Sequence, residues 1–161
     1  MKAVNVTIRR VRVEDVEQII QIERSWQHLS HWAEESYYRL VKDEGGMTVC
    51  WLAESEDFSG ARTIAGFVIF HIVANNSEVY NLAVERNQAR TGIGSELMNA
   101  VFQESRRRYA TRVLLEVRKS NSGAIRFYEG LGFKPLGERK NYYSNPTEDA
   151  LVMERNLLER V

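Results

Sequence analysis

The chain has 161 residues, of which 43% are hydrophobic and 27% are charged, and its formal net charge is zero. This length predicts a single domain, residues 1–161, with a core of its own. The neutral charge provides no global attraction to nucleic acid or to an anionic membrane, so neither is an expected partner. Because no apolar leader or membrane-spanning segment is recognisable, we expect a cytoplasmic protein.

The first half of the chain predicts two helices among three strands. Apolar spacing predicts a strand over residues 7–11, a helix beginning near Val16, a second helix from about residue 33, and strands over 48–54 and 63–73. An aromatic linker, residues 26–32, separates the two helices. A polar turn between the last two strands makes them a hairpin.

The second half predicts a strand–helix–strand–helix unit followed by two strands. The predicted elements are a strand over 78–84, a helix from Ile93 to the arginines 106–108, a strand over 112–117, a helix over 120–131, and strands over 133–140 and 150–156. Together with the early hairpin, this order implies a mixed α/β sheet with its site at the carboxyl ends of parallel strands. The three arginines are either a nucleic-acid patch or, as we favour in a neutral chain, the cationic end of a helix.

Several classes of catalytic site have no candidate residues. Cys50 is the only cysteine, which excludes an intramolecular disulfide and a multi-cysteine zinc site, and we expect it to pack in the core. His28, His31 and His71 do not show metal-ligand spacing on a regular element, so no metal is predicted. Because no serine lies in a nucleophile elbow, direct transfer between two bound substrates remains.

A glycine-containing loop, residues 90–95, follows the predicted strand 78–84 and opens a helix. Its backbone N–H groups would converge where the helix dipole favours an anion, which predicts a diphosphate ligand. Leu97 replaces the third glycine of a dinucleotide fingerprint, and no Gly-Lys-Ser/Thr follows as in an ATP-binding loop. Taken alone, Gly92 and Gly94 favour an ordinary strand-to-helix turn, in which glycine provides backbone freedom.

Three side chains near the C-terminal strand and helix have suitable chemistry. Glu116 interrupts an apolar strand, where burial would raise its pKa toward that of a general base; an outward-facing, solvated Glu116 is the alternative. Tyr128 is either a core aromatic or a buried hydroxyl donor. Asn121 is placed to cap the helix that follows it and could also reach a ligand.

Taken together, five segments resemble the GNAT superfamily of acyl-CoA-dependent N-acyltransferases. They are Tyr80-Asn81-Leu82-Ala83-Val84, Arg90-Thr91-Gly92-Ile93-Gly94, Leu115-Glu116-Val117-Arg118, Ser120-Asn121 and Ala124-Ile125-Arg126-Phe127-Tyr128-Glu129-Gly130-Leu131-Gly132-Phe133. With Asn141-Tyr142-Tyr143 and Glu148-Asp149-Ala150, the chain is similar to ribosomal-protein-alanine N-acetyltransferases of the RimI type. The resemblance implies a mostly antiparallel twisted sheet, flanked by helices, with one parallel strand pair at the acyl-CoA site.

The resemblance also implies acetyl-CoA as co-substrate and a role for each motif. The implied cofactor-binding residues are Leu82, Ala83, Val84, Arg90, Thr91, Gly92, Ile93, Gly94, Ser95 and Asn121. Glu116 would be the base that deprotonates the incoming ammonium, and Tyr128 the acid that protonates the departing thiolate. Ala89 stands where the family usually has Gln or Arg, so one side-chain contact to the pyrophosphate would be lost.

The implied acceptor is a peptide or protein N-terminus, with the N-terminal alanine of a ribosomal protein as the family's substrate. The implied acceptor-binding residues are Trp32, Tyr80, Asn81, Tyr142 and Tyr143. An α-amine, with a pKa of roughly 7.7 to 8.0, loses its proton more easily than a lysine at about 10.4. Acetylation of a small amine or a lysine side chain, and a non-catalytic acyl-CoA-binding module, are the alternatives.

Overall fold

The computed structural model of the protein describes residues 5–159, so the two ends of the predicted domain and the first part of the sequence searched for a leader lie outside the described residues. The strands are β1 (Asn5–Arg10), β2 (Thr48–Glu56), β3 (Arg62–Val73), β4 (Asn76–Val84), β5 (Arg112–Arg118), β6 (Lys134–Tyr143) and β7 (Glu148–Asn156). The α-helices are α1 (Val16–Arg24), α2 (Glu34–Lys42), α3 (Ile93–Arg107) and α4 (Ser122–Gly130). Every predicted helix and strand is therefore present.

The strands form one sheet in the order β1-β2-β3-β4-β5-β7-β6. Neighbouring strands are antiparallel except for β4 and β5, which are parallel. This arrangement confirms the mixed α/β sheet, mostly antiparallel with one parallel pair. No helix in the described part of the chain is both long and apolar enough to cross a membrane.

The helices cover the two faces of the sheet. Val68 and Phe70 of β3 belong to the apolar cluster that also contains α3 side chains, whereas Phe67 and Ile69 belong to the cluster built with α1 and α2. This division follows from the alternation of side chains along a strand. Cys50 is buried in the second cluster, which confirms its expected place in the core.

Of two helix ends, the start of α4 differs from the sequence-based expectation and the end of α3 agrees with it. Helix α4 begins later than predicted, at Ser122, because the Asn121 side chain accepts a hydrogen bond from Ala124 N–H, at 3.2 Å, and so caps the helix there. At the end of α3, Arg107 and Arg108 both pair with Glu104, at 2.6 and 2.7 Å. This ion pairing agrees with the helix-end interpretation of the arginines.

The parallel strands β4 and β5 separate part-way along their length. Their pairing runs only from Asn76 opposite Arg112 to Val79 opposite Leu115. At the next residue, Tyr80, the register between β3 and β4 shifts, which marks a β-bulge. Beyond it, β4 stays paired with β3 and β5 stays paired with β7. A gap therefore opens at the carboxyl ends of the parallel pair, where the sequence predicted the site.

Candidate active site

The loop before α3 has the backbone conformation that a glycine allows. Gly92 precedes the first residue of α3 with φ of 92°, in the left-handed region, and no side chain caps the helix there. Because the first N–H groups of an α-helix have no partner within the helix, those of the first turn of α3 are directed toward the loop. Arg90, also at positive φ, is exposed beside them. These features fit the diphosphate of a coenzyme A thioester.

Other residues predicted to bind the cofactor can contribute only their backbone. The Ile93 side chain is buried in the core cluster with α3, and the Ala83 side chain is buried in the cluster with α1 and α2. Gly94 lies close to α4, because a Cβ atom built on it would be 3.2 Å from the Phe127 ring. The second glycine therefore brings α3 and α4 together beside the gap.

A cleft of about 120 Å³ lies where β4 and β5 separate. Its lining includes Tyr80, Asn81, Leu82, Glu116, Asn121, Tyr128 and Tyr143. The separation of the strands thus brings the predicted catalytic side chains together with predicted residues of both binding sites. A larger crevice, about 470 Å³, lies between the end of β1 and the end of α2 and contains none of the predicted site residues.

Glu116 reaches the cleft from the sheet face that carries α1 and α2. Its neighbours Leu115 and Val117 pack in the cluster with α3, so alternation turns Glu116 to the other face. Its side chain is 10% exposed, and Oε1 lies 3.0 Å from Nε of Arg139. Burial raises the pKa of Glu116, the nearby Glu78 raises it further, and Arg139 opposes both effects. The position of Glu116 agrees with the buried alternative and not with the solvated one.

Tyr128 reaches the cleft from the opposite face. Its ring packs against Phe127 and Phe133, with ring centroids 5.1 and 5.6 Å apart. Burial raises the pKa of the Tyr128 hydroxyl well above its usual value, and Tyr143 nearby adds to the rise. A hydroxyl in this environment keeps its proton at neutral pH, which is the state that a general acid needs.

The linker between α1 and α2 closes one side of the cleft. Asn81 donates from Nδ2 to the Ser30 carbonyl at 2.9 Å, and Trp26 donates from Nε1 to the Val84 carbonyl at 2.9 Å. Trp32 packs on Tyr80, with ring centroids 6.0 Å apart. Asn81, which was predicted to bind the acceptor, therefore both lines the cleft and holds the α1–α2 linker against β4.

The hairpin of β6 and β7 forms the other side. Tyr142 and Tyr143 meet edge to face, with ring centroids 5.0 Å apart. Tyr143 lines the cleft, whereas Tyr142 is 49% exposed and packs near Arg139. The predicted acceptor-binding aromatic residues thus stand on two sides of Glu116.

Sequence reasoning missed two charged neighbours of Glu116. Glu78 of β4 is opposite Leu114, two residues from Glu116 on the same face of β5, and Arg139 comes from β6. The alternation of side chains along one strand does not give the register between strands, and a β-bulge such as the one at Tyr80 interrupts that alternation. The sequence therefore could not place Glu78 or Arg139 next to Glu116. Within residues 5–159, no group of three or more His, Cys, Asp or Glu side chains could hold a metal ion.

Comparison with known proteins connects this geometry with a family. Residues 13–133 match the Acetyltransferase (GNAT) family. The chain belongs to this family. Its resemblance to the superfamily, inferred from the motifs, is thereby confirmed, and this GNAT enzyme is an acetyl-CoA-dependent N-acetyltransferase.

Relatives of the GNAT enzyme point to the same branch as its motifs. It is 30% identical over 149 residues to the ribosomal protein bS18-alanine N-acetyltransferase of Salmonella typhimurium strain LT2, covering 91% of this chain and 95% of that protein. It is 32% identical over 157 residues to an N-alpha-acetyltransferase of Sulfurisphaera tokodaii, covering 91% and 90%. The crystal structure of the ribosomal-protein-S18-alanine N-acetyltransferase from Escherichia coli superposes with a TM-score of 0.79 at 26% identity, covering 98% and 97%.

Proposed function

We propose that this GNAT enzyme transfers the acetyl group of acetyl-CoA to the N-terminal α-amine of a protein, and that the acceptor is the N-terminal alanine of a ribosomal protein. The observation that carries the proposal is that Glu116 and Tyr128 line one cleft from opposite faces of the sheet. The named substrates of the Salmonella and Escherichia coli relatives support the choice of acceptor.

In the proposed mechanism, Glu116 accepts a proton from the acceptor ammonium, directly or through water. The free amine then attacks the thioester carbonyl carbon, a C–N bond forms, the C–S bond breaks, and the nitrogen releases its second proton to water as the neutral amide forms. Tyr128 donates its hydroxyl proton to the departing thiolate sulfur. Two pKa shifts support these roles: the raised pKa of Glu116 makes its ionised carboxylate a better proton acceptor, and the raised pKa of the Tyr128 hydroxyl keeps its proton bound at neutral pH until it is donated.

The co-substrate would lie across the N-terminal end of α3 and enter the gap between β4 and β5. The uncapped N–H groups after Gly92 would bind the pyrophosphate, with Arg90 and Thr91 beside it, and Ser95 would lie in the first turn. The backbone of Leu82 and Val84 would contact the pantetheine arm. Asn121, which caps α4, would contact it from the other side.

The acceptor would enter between the α1–α2 linker and the β6–β7 hairpin. Trp32 and Tyr80 would contact it on one side, and Tyr142 and Tyr143 on the other. We extend the proposal to the whole chain: residues 1–161 form one catalytic domain that acts in the cytoplasm and uses no metal. Direct attack of an amine on a thioester needs no Lewis acid.

The test uses the purified enzyme, acetyl-CoA and matched peptides, with thiol release and peptide mass as readouts. One peptide begins with the N-terminal sequence of ribosomal protein S18 and contains an internal lysine, and a second is the same peptide with a blocked α-amine. Acetylation of the first and not the second supports the proposal. Acetylation of the blocked peptide indicates a lysine acetyltransferase, and turnover only of polyamines indicates a small-amine enzyme.

A second panel separates a dedicated enzyme from a broader one. The likeness to an N-alpha-acetyltransferase of Sulfurisphaera tokodaii favours testing other N-termini, such as those beginning with Ser, Thr and Met. A kcat/KM at least about tenfold higher for alanine, equivalent to about 1.4 kcal/mol, would support the ribosomal acceptor. Similar values across the panel would indicate a general N-terminal acetyltransferase.

A further inference from the structure

Arg118, the last residue of β5, is a buried cation that the proposed chemistry does not use. Only 8% of the residue is exposed, and it follows Glu116 by two positions. Burying a guanidinium is costly unless its charge and its N–H groups are compensated. The groups that bind the Arg118 guanidinium therefore indicate its structural role.

Those partners all belong to the β6–β7 hairpin. Nη1 of Arg118 donates to the Pro146 carbonyl at 3.1 Å and to Oε1 of Glu148 at 3.4 Å, and Nη2 donates to the Ser144 carbonyl at 3.2 Å. The guanidinium carbon also lies 4.4 Å from the centroid of the Tyr143 ring. One buried side chain thus connects the end of β5 to the turn of the hairpin and to one of its aromatic residues.

Glu148 extends this connection to the helix that carries Tyr128. Its Oε2 accepts a hydrogen bond from the Ser120 N–H at 2.7 Å, just before the cap of α4. This contact and Arg118 hold the pKa of Glu148 below its usual value. The Arg118–Glu148 pair therefore fixes the hairpin relative to the start of α4.

Tyr143 is where these contacts reach the cleft, because its ring is part of the cleft lining beside Tyr128. We infer that Arg118 is a positioning residue of the acceptor groove: through the 144–146 turn and the Tyr143 ring it holds one wall of the groove in place for the incoming peptide. The inference rests on the proposed function, since it assigns a role within the peptide site.

The chemistry requires arginine at this position. The planar guanidinium can donate to two carbonyls and a carboxylate while it stacks on a ring, whereas a lysine ammonium is a point charge on a flexible stem. Arg118→Lys keeps the charge and removes the planar geometry. It is therefore the conservative variant that separates positioning from charge.

The matched control is Arg112→Lys, at the other end of β5. Arg112 is also paired with a glutamate of β7, Glu154, at 3.2 Å, but it is 42% exposed and far along the strand from the cleft. For each variant we would measure the peptide KM, kcat, the Kd for acetyl-CoA and the melting temperature. We expect Arg118→Lys to raise the peptide KM about tenfold, with the acetyl-CoA Kd within about twofold of wild type. Arg112→Lys should leave all the kinetic values unchanged.

A double-mutant cycle with Tyr143→Leu distinguishes positioning from a general loss of structure. If Arg118 acts through Tyr143, Arg118→Lys should add little to the KM of Tyr143→Leu. The inference would be overturned by any of three results: an unchanged peptide KM in Arg118→Lys, a loss of acetyl-CoA affinity in that variant as large as its loss of peptide affinity, or a double variant whose rise in KM is the full product of the two single rises. If Arg118→Lys does not fold, Glu148→Gln replaces it, and an unchanged peptide KM in that variant likewise overturns the inference.

The two proposals fail in different ways. Wild-type turnover of the peptide with an unaltered KM in Arg118→Lys contradicts the positioning role alone. Absence of wild-type turnover with every peptide contradicts the proposed function, and with it the acceptor groove.

Discussion

Glu116 and Arg139 form an ion pair at the cleft, with Oε1 of the carboxylate 3.0 Å from Nε of the guanidinium. Glu116 is nearly buried, whereas Arg139 is 57% exposed. The charge of Glu116 is therefore set by three opposing influences: burial and Glu78 raise its pKa, and Arg139 lowers it. The charge of Glu116 also contributes to the raised pKa values of Tyr80, Tyr142 and Tyr143, so these three tyrosines lie around one titrating carboxyl group.

The pH dependence of the reaction should report this balance. If Glu116 must be ionised to act as base, kcat/KM rises as the pH passes its pKa. Glu78→Gln removes a like charge, lowers the pKa of Glu116 and should move the acidic limb to lower pH. Arg139→Gln removes the opposite charge, raises that pKa and should move the limb to higher pH. All profiles are measured with one peptide, so the titration of its amine is the same in each and cannot cause a difference between variants. If the acidic limb moves in the same direction in both variants, or does not move, Glu116 is not the titrating base.

Loss of either catalytic side chain should lower kcat without weakening acetyl-CoA binding. We expect Glu116→Gln and Tyr128→Phe each to reduce kcat about 100-fold or more. The Glu116→Gln deficit should shrink as the pH rises toward the amine pKa, roughly 8, because the amine then loses its proton unaided. The Tyr128→Phe deficit should persist. Steady-state rates across pH test this, and equal pH responses in the two variants would contradict the separate roles.

Replacing Gly92 should weaken coenzyme binding through backbone strain. Its φ of 92° is unfavourable for alanine, although a Cβ atom there would meet no atom within 4 Å. The strain should cost about 1–2 kcal/mol of unfolding free energy. Gly45→Ala is the matched control, since Gly45 has φ of 87° and equally open surroundings but follows α2. Calorimetry should show weaker acetyl-CoA binding for Gly92→Ala and wild-type binding for Gly45→Ala. Equal acetyl-CoA affinities of the two variants would show that the loop at Gly92 does not bind the coenzyme.

Tyr142→Ala should raise the peptide KM and leave acetyl-CoA affinity intact, because the ring is half-exposed on the acceptor side of the cleft. Burial of an aromatic ring against a ligand makes a several-fold effect reasonable. Tyr109→Ala is the control, since Tyr109 is 87% exposed beyond the end of α3. An unchanged KM for Tyr142→Ala would exclude this ring from the groove.

Glu23 should make stability depend on pH. It is 1% exposed, Oε1 accepts the Trp32 N–H at 3.1 Å, and Oε2 is buried without a hydrogen-bond partner among the described residues. Burial raises the pKa of Glu23 from 4.5 to about 7. Between these values the native state keeps a proton that the unfolded chain has released, so the stability contributed by protonated Glu23 is fully present below pH 4.5 and is lost as the pH rises to about 7.

Glu23→Gln removes the buried charge and keeps an acceptor for Trp32. Above pH 7, urea unfolding should show that the variant has a free energy of unfolding about 3 kcal/mol above that of wild type, and below pH 4.5 the two should coincide. Glu17→Gln, exposed on the same helix, should change stability by less than about 0.5 kcal/mol. A stability difference between Glu23→Gln and wild type that stays constant across this pH window would contradict the assignment.

The amino-acid sequence alone determined the helices and strands and supplied the candidate site residues. Apolar periodicity fixed each helix and strand, because the two regular structures repeat at different intervals. The run containing Gly92 predicted a turn before α3 that uses the backbone freedom of glycine, and Asn121 predicted the cap of α4; both features are local, and the structure has them. The Glu116 and Tyr128 candidates came from local context combined with a family resemblance.

Only the tertiary structure decided which charges meet. Alternation assigns a side chain to a face of a strand but leaves the register with distant strands undetermined, so the approach of Glu78 and Arg139 to Glu116 was not predictable. The burial of Arg118 under the β6–β7 turn and of Glu23 under the α1–α2 linker likewise depends on segments far apart in the chain. Residues that are neighbours in sequence determine the local backbone conformation. Packing between distant segments determines the burial and the neighbouring charges of each ionisable side chain, and these set its pKa.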